Sequence, residues 1–308
     1  MGSSLSTSPL TLPSAVHRLT RVLTLVRYRF FLFAGLLPYL LGAAWSYSVA
    51  GVFDVAMFWG GLGGVVFAVI GVEAYNEYFD ARMGTDRVFN PQDVPPVTGA
   101  VFWIGTVAFA AALAVGVYLT ARVGWPILAF ALLGGAAAIF YEAPPIRWSY
   151  RGLGEAVIAL AYGPWMVLGS FYLHSQEISW SAVLASLVPG LLIMALAVVN
   201  AIPDFHQDRL VGKRNLVVRL GRERAVWLYL MLAASGLLLV AVGVALGAFP
   251  AACLAALLAL PLLIASGRCA VRTSEKPKQF LPAMRHMVSC YVVAVAFLTG
   301  GILLHAWY

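Results

Sequence analysis

VAMFWGGLGGVVFAVIGVEAY, Val55 to Tyr75, runs directly into NEYFDARMGTDR, Asn76 to Arg87. About 20 predominantly apolar residues are enough to cross a bilayer, so the first part reads as a membrane-spanning helix. The second part gathers Glu77, Asp80 and Asp86 with Asn76, Arg82 and Arg87 at the edge of that helix. Charge beside a membrane core costs about 2.5–3.5 kcal/mol per group on insertion scales, and where it is kept it marks function. A chain that places carboxylates there has a use for negative charge.

The rest of the sequence repeats the first part. Of 308 residues, 62% are hydrophobic and 11% charged, and the mean hydropathy is +0.88. Soluble domains are about one quarter charged, so the composition points to a polytopic all-α membrane protein. Nine apolar windows follow one another at 30–48, 55–76, 100–121, 124–141, 155–174, 180–200, 225–247, 249–267 and 287–306. They leave no room for a separate soluble domain. The expected organisation is therefore residues 1–29 as a disordered start plus a basic interfacial helix, then a nine-helix transmembrane domain over 30–308.

Charge placement supports nine windows. Of the twenty Lys and Arg residues, only Arg122 falls in an odd-numbered connection. Every basic stretch then lies on one face, which the positive-inside rule assigns to the cytoplasm. The N-terminus is expected inside and the C-terminus outside. The net charge of +7 is thereby explained by topology and anionic lipid, and is no argument for nucleic acid. Within SAVHRLTRVLTLVRYRF, Val16, Leu19, Leu23 and Val26 share one side and Arg18 and Arg21 lie off it, as in an amphipathic interfacial helix. The first window is read as retained, not as a signal peptide. The three cysteines, 253, 269 and 290, fit neither a disulfide framework nor a zinc site.

A second acidic cluster, in VVNAIPDFHQDRLVGKR, holds Asn200, Asp204 and Asp208. Both clusters follow a long apolar window, open with Asn and Asp four residues apart and end in Asp-Arg. Both are expected at cytoplasmic helix ends. At about 100° per residue, positions i, i+4 and i+8 stay within about 80° of one another, so Asn200, Asp204 and Asp208 can share a face. Pro203 is expected to kink that helix, and Gly84 to let the chain bring Asp86 back toward Asp80. Facing each other, the clusters offer four aspartates and two amide oxygens. Such hard oxygen donors suit Mg²⁺ with substrate phosphates, and a pair of Mg²⁺ ions makes a receptor for diphosphate. Arg27, Arg82, Arg87, Arg147, Lys213 and Arg214 are the candidates for charge-assisted contacts. Acidic residues at helix ends also simply pair with arginine in solvated loops, but the repetition argues against that for both clusters at once.

A third polar stretch, YEAPPIRWSYRGLGE from Tyr141 to Glu155, offers Tyr141, Arg147, Tyr150 and Arg151 either as site residues or as interface anchors. The histidines at 17, 174, 206, 286 and 305 lack metal-type spacing and read as interface residues, with His206 placed between two aspartates.

On these motifs the chain resembles the UbiA superfamily of intramembrane aromatic prenyltransferases over nearly its whole length. The resemblance rests on NEYFDARMGTD, YEAPPIRWSYRGLGE and NAIPDFHQDRLVGKRNLVVRLG. Asn-x-x-x-Asp-x-x-x-x-x-Asp with Gly-Thr-Asp is most similar to the branch that prenylates dihydroxynaphthoate toward menaquinone. The resemblance implies a helical bundle with a central cavity open to the cytoplasmic side, where two Asp motifs hold Mg²⁺ and the diphosphate of a polyprenyl donor. Carried over by position, Asn76, Asp80, Asp86, Asn200, Asp204 and Asp208 are the metal and diphosphate site. Tyr141, Arg147 and Lys213 match the family's Tyr and basic residues. Glu77 and Pro203 depart from the usual residues at their positions.

The implied reaction is transfer of a polyprenyl group to a lipophilic aromatic acceptor, with Tyr78, Phe79 or Tyr141 facing the carbocation. Alternatives within the superfamily are a porphyrin-type, glycerol ether or phosphosugar acceptor, or a prenyl cyclase. A more distant one is an ion-coupled transporter, whose carboxylates belong near mid-membrane. Acceptor, prenyl chain length and oligomeric state are not legible in the sequence.

Overall fold

Helices carry the described chain, residues 28–83 and 99–306 of this computed structural model. In order they are α1 (Tyr28–Trp45), α2 (Val55–Met83), α3 (Gly99–Val123), α4 (Trp125–Ile139), α5 (Gly154–Ser175), α6 (Trp180–Ala201), α7 (Arg222–Ala245), α8 (Ala251–Thr273) and α9 (Pro277–His305). Short helices at Trp148–Arg151, Phe205–Leu210 and Leu216–Leu220 sit in the connections before α5 and after α6. Among the described residues, seven helices are long and apolar enough to cross a membrane: α2, α3 and α5 to α9. The expected windows at 30–48 and 124–141 coincide with α1, of 18 residues, and α4, of 15. At about 1.5 Å per residue α4 is roughly 22 Å long, short of a hydrocarbon core of about 30 Å. It stops early because the chain folds back, the amides of Trp148 and Ser149 donating to the carbonyls of Phe140 and Tyr141. The basic N-terminal stretch lies outside the described residues.

Local chemistry sets several boundaries. Asp54 Oδ1 accepts from the amides of Ala56 (2.8 Å) and Met57 (3.0 Å) and starts α2. Ser179 Oγ accepts from the Ala182 amide and starts α6, a side-chain cap for an orphan donor. Inside α5, Pro164 lies in a wide π turn, Ala161–Trp165. Proline removes a helix donor, and π turns of this kind gather at functional positions. This one turns Ala161, Tyr162 and Trp165 toward a cavity.

The packing is uneven. α6 is the central helix, with 67% of its apolar window buried against 22% for α2 and for α3. The main core joins residues of α1 and of α5 through α9. Small residues bring these helices close, as is usual where lipid supplies no hydrophobic drive. A Cβ on Gly163 would stand 2.7 Å from the Gly190 Cα, and one on Gly42 would meet the Val167 carbonyl. Trp59, Trp103, Trp125, Trp180 and Trp227 face outward, an outer surface suited to lipid. Cys253 and Cys290 are buried and unbridged. His174, in the last turn of α5, is buried against the α1–α2 connection, where its Nδ1 accepts from the Asp54 amide (3.2 Å) and its ring stacks on Phe53.

Candidate active site

Three segments meet at one end of the bundle: the last turns of α2, the α4–α5 connection and the stretch after α6. Lys213 joins them. It is 8% exposed, and its Nζ lies 3.0 Å from Asp80 Oδ1 and 3.1 Å from Glu142 Oε1. The Tyr150 ring centroid is 5.5 Å from the same nitrogen.

The lysine is held from behind by backbone and side-chain bonds. The helix of the second acidic motif ends at Ala201, because Pro203 breaks it rather than kinking it. Asp204 precedes the short helix Phe205–Leu210, and the Asp208 amide donates to the Asp204 carbonyl (2.8 Å). Gly212, at φ +81°, takes the left-handed turn that glycine makes without strain, and the Lys213 amide donates to the Asp208 carbonyl. Asn215 Nδ2 donates to Asp208 Oδ2 (2.7 Å), while its Oδ1 caps Leu216–Leu220 by accepting from the Val218 amide. The Leu216 amide donates to Glu155 Oε1 (2.9 Å), and Arg219 donates to the carbonyls of Arg151 and Arg214. The α6–α7 connection is thus fastened to the α4–α5 connection.

Burial dominates the electrostatics. It pushes the Glu142 carboxyl up to about 7, Asp80 adding to the rise and Lys213 opposing it. Burial likewise raises Asp208, against the pull of Lys213 and Asn215. For Lys213 burial acts downward, but Asp80, Glu142 and Asp208 outweigh it and keep the ammonium charged well above its ordinary range. Buried ion pairs carry a heavy desolvation cost, and groups so perturbed collect at functional sites.

From this cluster a cavity of about 570 Å³ runs into the bundle. Its walls are apolar faces of α2, α3, α4 and α5. Asn76 and Tyr141 line it at the charged end, and Tyr39 and Leu173 at the other. Asn76 Oδ1 is buried without a hydrogen-bond partner. Arg147 stands at φ +53°, strained for a residue with a side chain. Its buried Nε also lacks a partner, and its guanidinium lies 5.3 Å from the Tyr150 ring.

Of the residues expected in the site, Asp80, Asp208, Lys213, Asn76, Tyr141 and Arg147 gather here. Asn200 is half-buried in the last turn of α6, and Asp204 is half-buried in the break after it. Arg82 is exposed and covers the Tyr78 ring at 4.6 Å. Arg27, Asp86 and Arg87 lie outside the described residues. Tyr78 packs at a tilt against Phe102 of α3, and Phe79 meets Tyr75 and Tyr78 edge-on; Tyr141 alone of the three proposed aromatics lines the cavity. Glu142, Asn215 and Glu155 were missed. The available signal was a carboxylate beside Tyr141 in an otherwise basic connection.

Among the described residues, no three Asp, Glu, His or Cys side chains stand close enough to hold a metal ion. Asp80 is turned to Lys213 and Asp208 to Asn215. The donor set nevertheless fits Mg²⁺: the carboxylates and amides are all hard oxygen ligands, and Asn76 offers a buried, unengaged oxygen.

The profile of the UbiA prenyltransferase family matches residues 35–290. The chain is 26% identical over 203 residues to the 1,4-dihydroxy-2-naphthoate octaprenyltransferase of Bacillus subtilis (strain 168), covering 63% of this chain and 64% of that protein. It is 30% identical over 278 residues to the protein of the same name from Mycobacterium leprae (strain TN), covering 85% and 88%. Among solved structures it is similar to the apo form of a UbiA homolog from Aeropyrum pernix K1, with TM-score 0.62, 20% identity and coverage of 91% and 98%. It is also similar to a UbiA homolog from Archaeoglobus fulgidus bound to GPP and Mg²⁺, with TM-score 0.54, 16% identity and coverage of 90% and 99%.

Proposed function

Because the chain belongs to the UbiA prenyltransferase family, we propose that it moves a polyprenyl group from a prenyl diphosphate to a dihydroxynaphthoate-type aromatic acceptor, with Mg²⁺ as cofactor. The observation that carries this reading is a cavity with apolar walls that ends at Asn76 and Tyr141, beside the Asp80–Lys213–Glu142 cluster. That shape suits a molecule with a polyanionic head and a long apolar tail.

In this reading Asn76, Asp80, Asp86, Asn200, Asp204 and Asp208 supply the oxygen donors for the cation. When bound, the metal provides Lewis-acid neutralisation of the charge that grows on the leaving diphosphate. Lys213 and Arg147, with Arg27, Arg82 and Arg87, add charge-assisted hydrogen bonds to the same group. The strained Arg147 backbone and its unengaged Nε fit a side chain positioned for a ligand. Apolar walls keep water from the allylic cation, and the Tyr141 ring lies at the cavity end where that cation forms. The naphthoate-type acceptor is supported by the names of the relatives. The distribution of basic residues supports nine spans over 30–308, an inside N-terminus and a site at the cytoplasmic face.

The test is release of diphosphate from geranylgeranyl and longer prenyl diphosphates by the full chain in lipid nanodiscs, with and without Mg²⁺ and dihydroxynaphthoate. Release that requires Mg²⁺, acceptor and Asp80, lost in Asp80→Ala, is expected. Absence of both turnover and Mg²⁺-dependent donor binding in the wild type refutes the reading.

A further inference from the structure

Glu142 belongs to neither acidic motif, yet it is 5% exposed and one of the two carboxylates on the Lys213 ammonium. The other is Asp80, at nearly the same distance, 3.0 against 3.1 Å. On the prenyltransferase reading, Asp80 has two tasks that conflict: it neutralises a buried ammonium, and it must offer its charge to a divalent cation. Lys213 is 8% exposed between Asp80, Glu142 and the Tyr150 ring, so little water reaches its ammonium when Asp80 turns to the metal. Leaving a buried charge without its partner is strongly unfavourable.

We propose that Glu142 is a positioning residue that keeps Lys213 neutralised and in place while Asp80 exchanges the ammonium for the metal. Its placement suits that task. It comes from the α4–α5 connection rather than from α2, so it does not follow Asp80. The bonds from Glu155 and Arg219 tie its connection to the segment carrying Lys213. Asp208 adds to the negative field at Lys213 but makes no hydrogen bond to its ammonium, its Oδ2 accepting from Asn215 at 2.7 Å instead. Glu142 acts through Lys213 and does not itself ligate the metal.

The inference rests on the prenyltransferase reading, and metal uptake tests it without turnover. Mn²⁺ binding is followed by electron paramagnetic resonance on the full chain in nanodiscs with inorganic diphosphate. Four forms are compared: wild type, E142Q, K213M and the double variant. In E142Q the ammonium has Asp80 alone, so the metal competes for it. Half-saturation is expected to rise about tenfold or more, the range seen when groups behind metal ligands are removed. In the K213M background the conflict is gone, so adding E142Q is expected to change half-saturation less than about twofold, a non-additive cycle. No rise in E142Q overturns the proposal. An equal rise in both backgrounds also overturns it and makes Glu142 a ligand. Should E142Q not fold, Glu142→Ser, which opens the position to water, carries the same comparison. Failure of the wild type to take up Mn²⁺ with diphosphate overturns the prenyltransferase reading and this inference together.

Discussion

Lys213, Asp80, Glu142 and Asp208 show what four charges cost at the edge of an apolar bundle. Glu142 makes that cost measurable. A glutamate with the ordinary value of 4.5 is held at about 7 here, chiefly by burial. Between those values the folded chain keeps a proton that the unfolded chain has lost. The Glu142 contribution to stability is therefore present in full below about 4.5, falls as pH rises to about 7, and is flat above that. Without metal or diphosphate, wild-type stability should drop relative to E142Q between pH 5 and pH 8, by at most about 3 kcal/mol. Thermal unfolding of both proteins in detergent reads this directly, and parallel pH profiles would contradict the assignment. The same residue marks the limit of legibility at this scale. Asp80, Asp208 and Lys213 stand out in sequence because the motifs repeat and charge beside a membrane is rare. Glu142 looks like an ordinary loop acid until the end of α2 and the stretch after α6 meet it at Lys213.

At the level of helices, the apolar windows were legible because twenty-residue runs have no other use in so uncharged a chain. What was not legible depends on neighbours. α4 ends early since the chain turns back on Phe140 and Tyr141. Pro203 ends α6 outright, so Asp204 and Asp208 share a hydrogen-bonded turn rather than one long helix face. Helix crossings are likewise invisible in a sequence with 29 glycines, because only some of them touch another helix. Gly163 does: its added Cβ would press on the Gly190 Cα and the Ser186 carbonyl, whereas one on Gly63 meets nothing within 4 Å. Gly163→Val should force α5 from α6 and cost about 1–3 kcal/mol, seen as a lower unfolding temperature in detergent. Gly63→Val should leave that temperature nearly unchanged. Equal effects from the two would mean that the close approach of α5 and α6 does not bear on stability.

The whole bundle has a tightly packed side, built from α1 and α5 to α9, and a hollow side, where α2, α3 and α4 with one face of α5 surround the cavity. Backbone opening tracks the density of buried contacts. Amides of α2 to α4 should therefore exchange hydrogen faster than those of α6 in the free protein, and slow selectively when an uncleavable prenyl diphosphate analogue and Mg²⁺ are bound. Exchange by mass spectrometry in nanodiscs tests this, and uniform protection across all helices would show that the two sides do not behave separately. The division also has a consequence for descent. None of the fully buried residues of the main core lines the cavity. Drift in the lining, outside the small buried cluster of Leu119, Ile127 and Leu173, can reshape the cavity while the main core stays as it is. Lineages that inherit such a bundle can change the shape of the cavity without touching the main core.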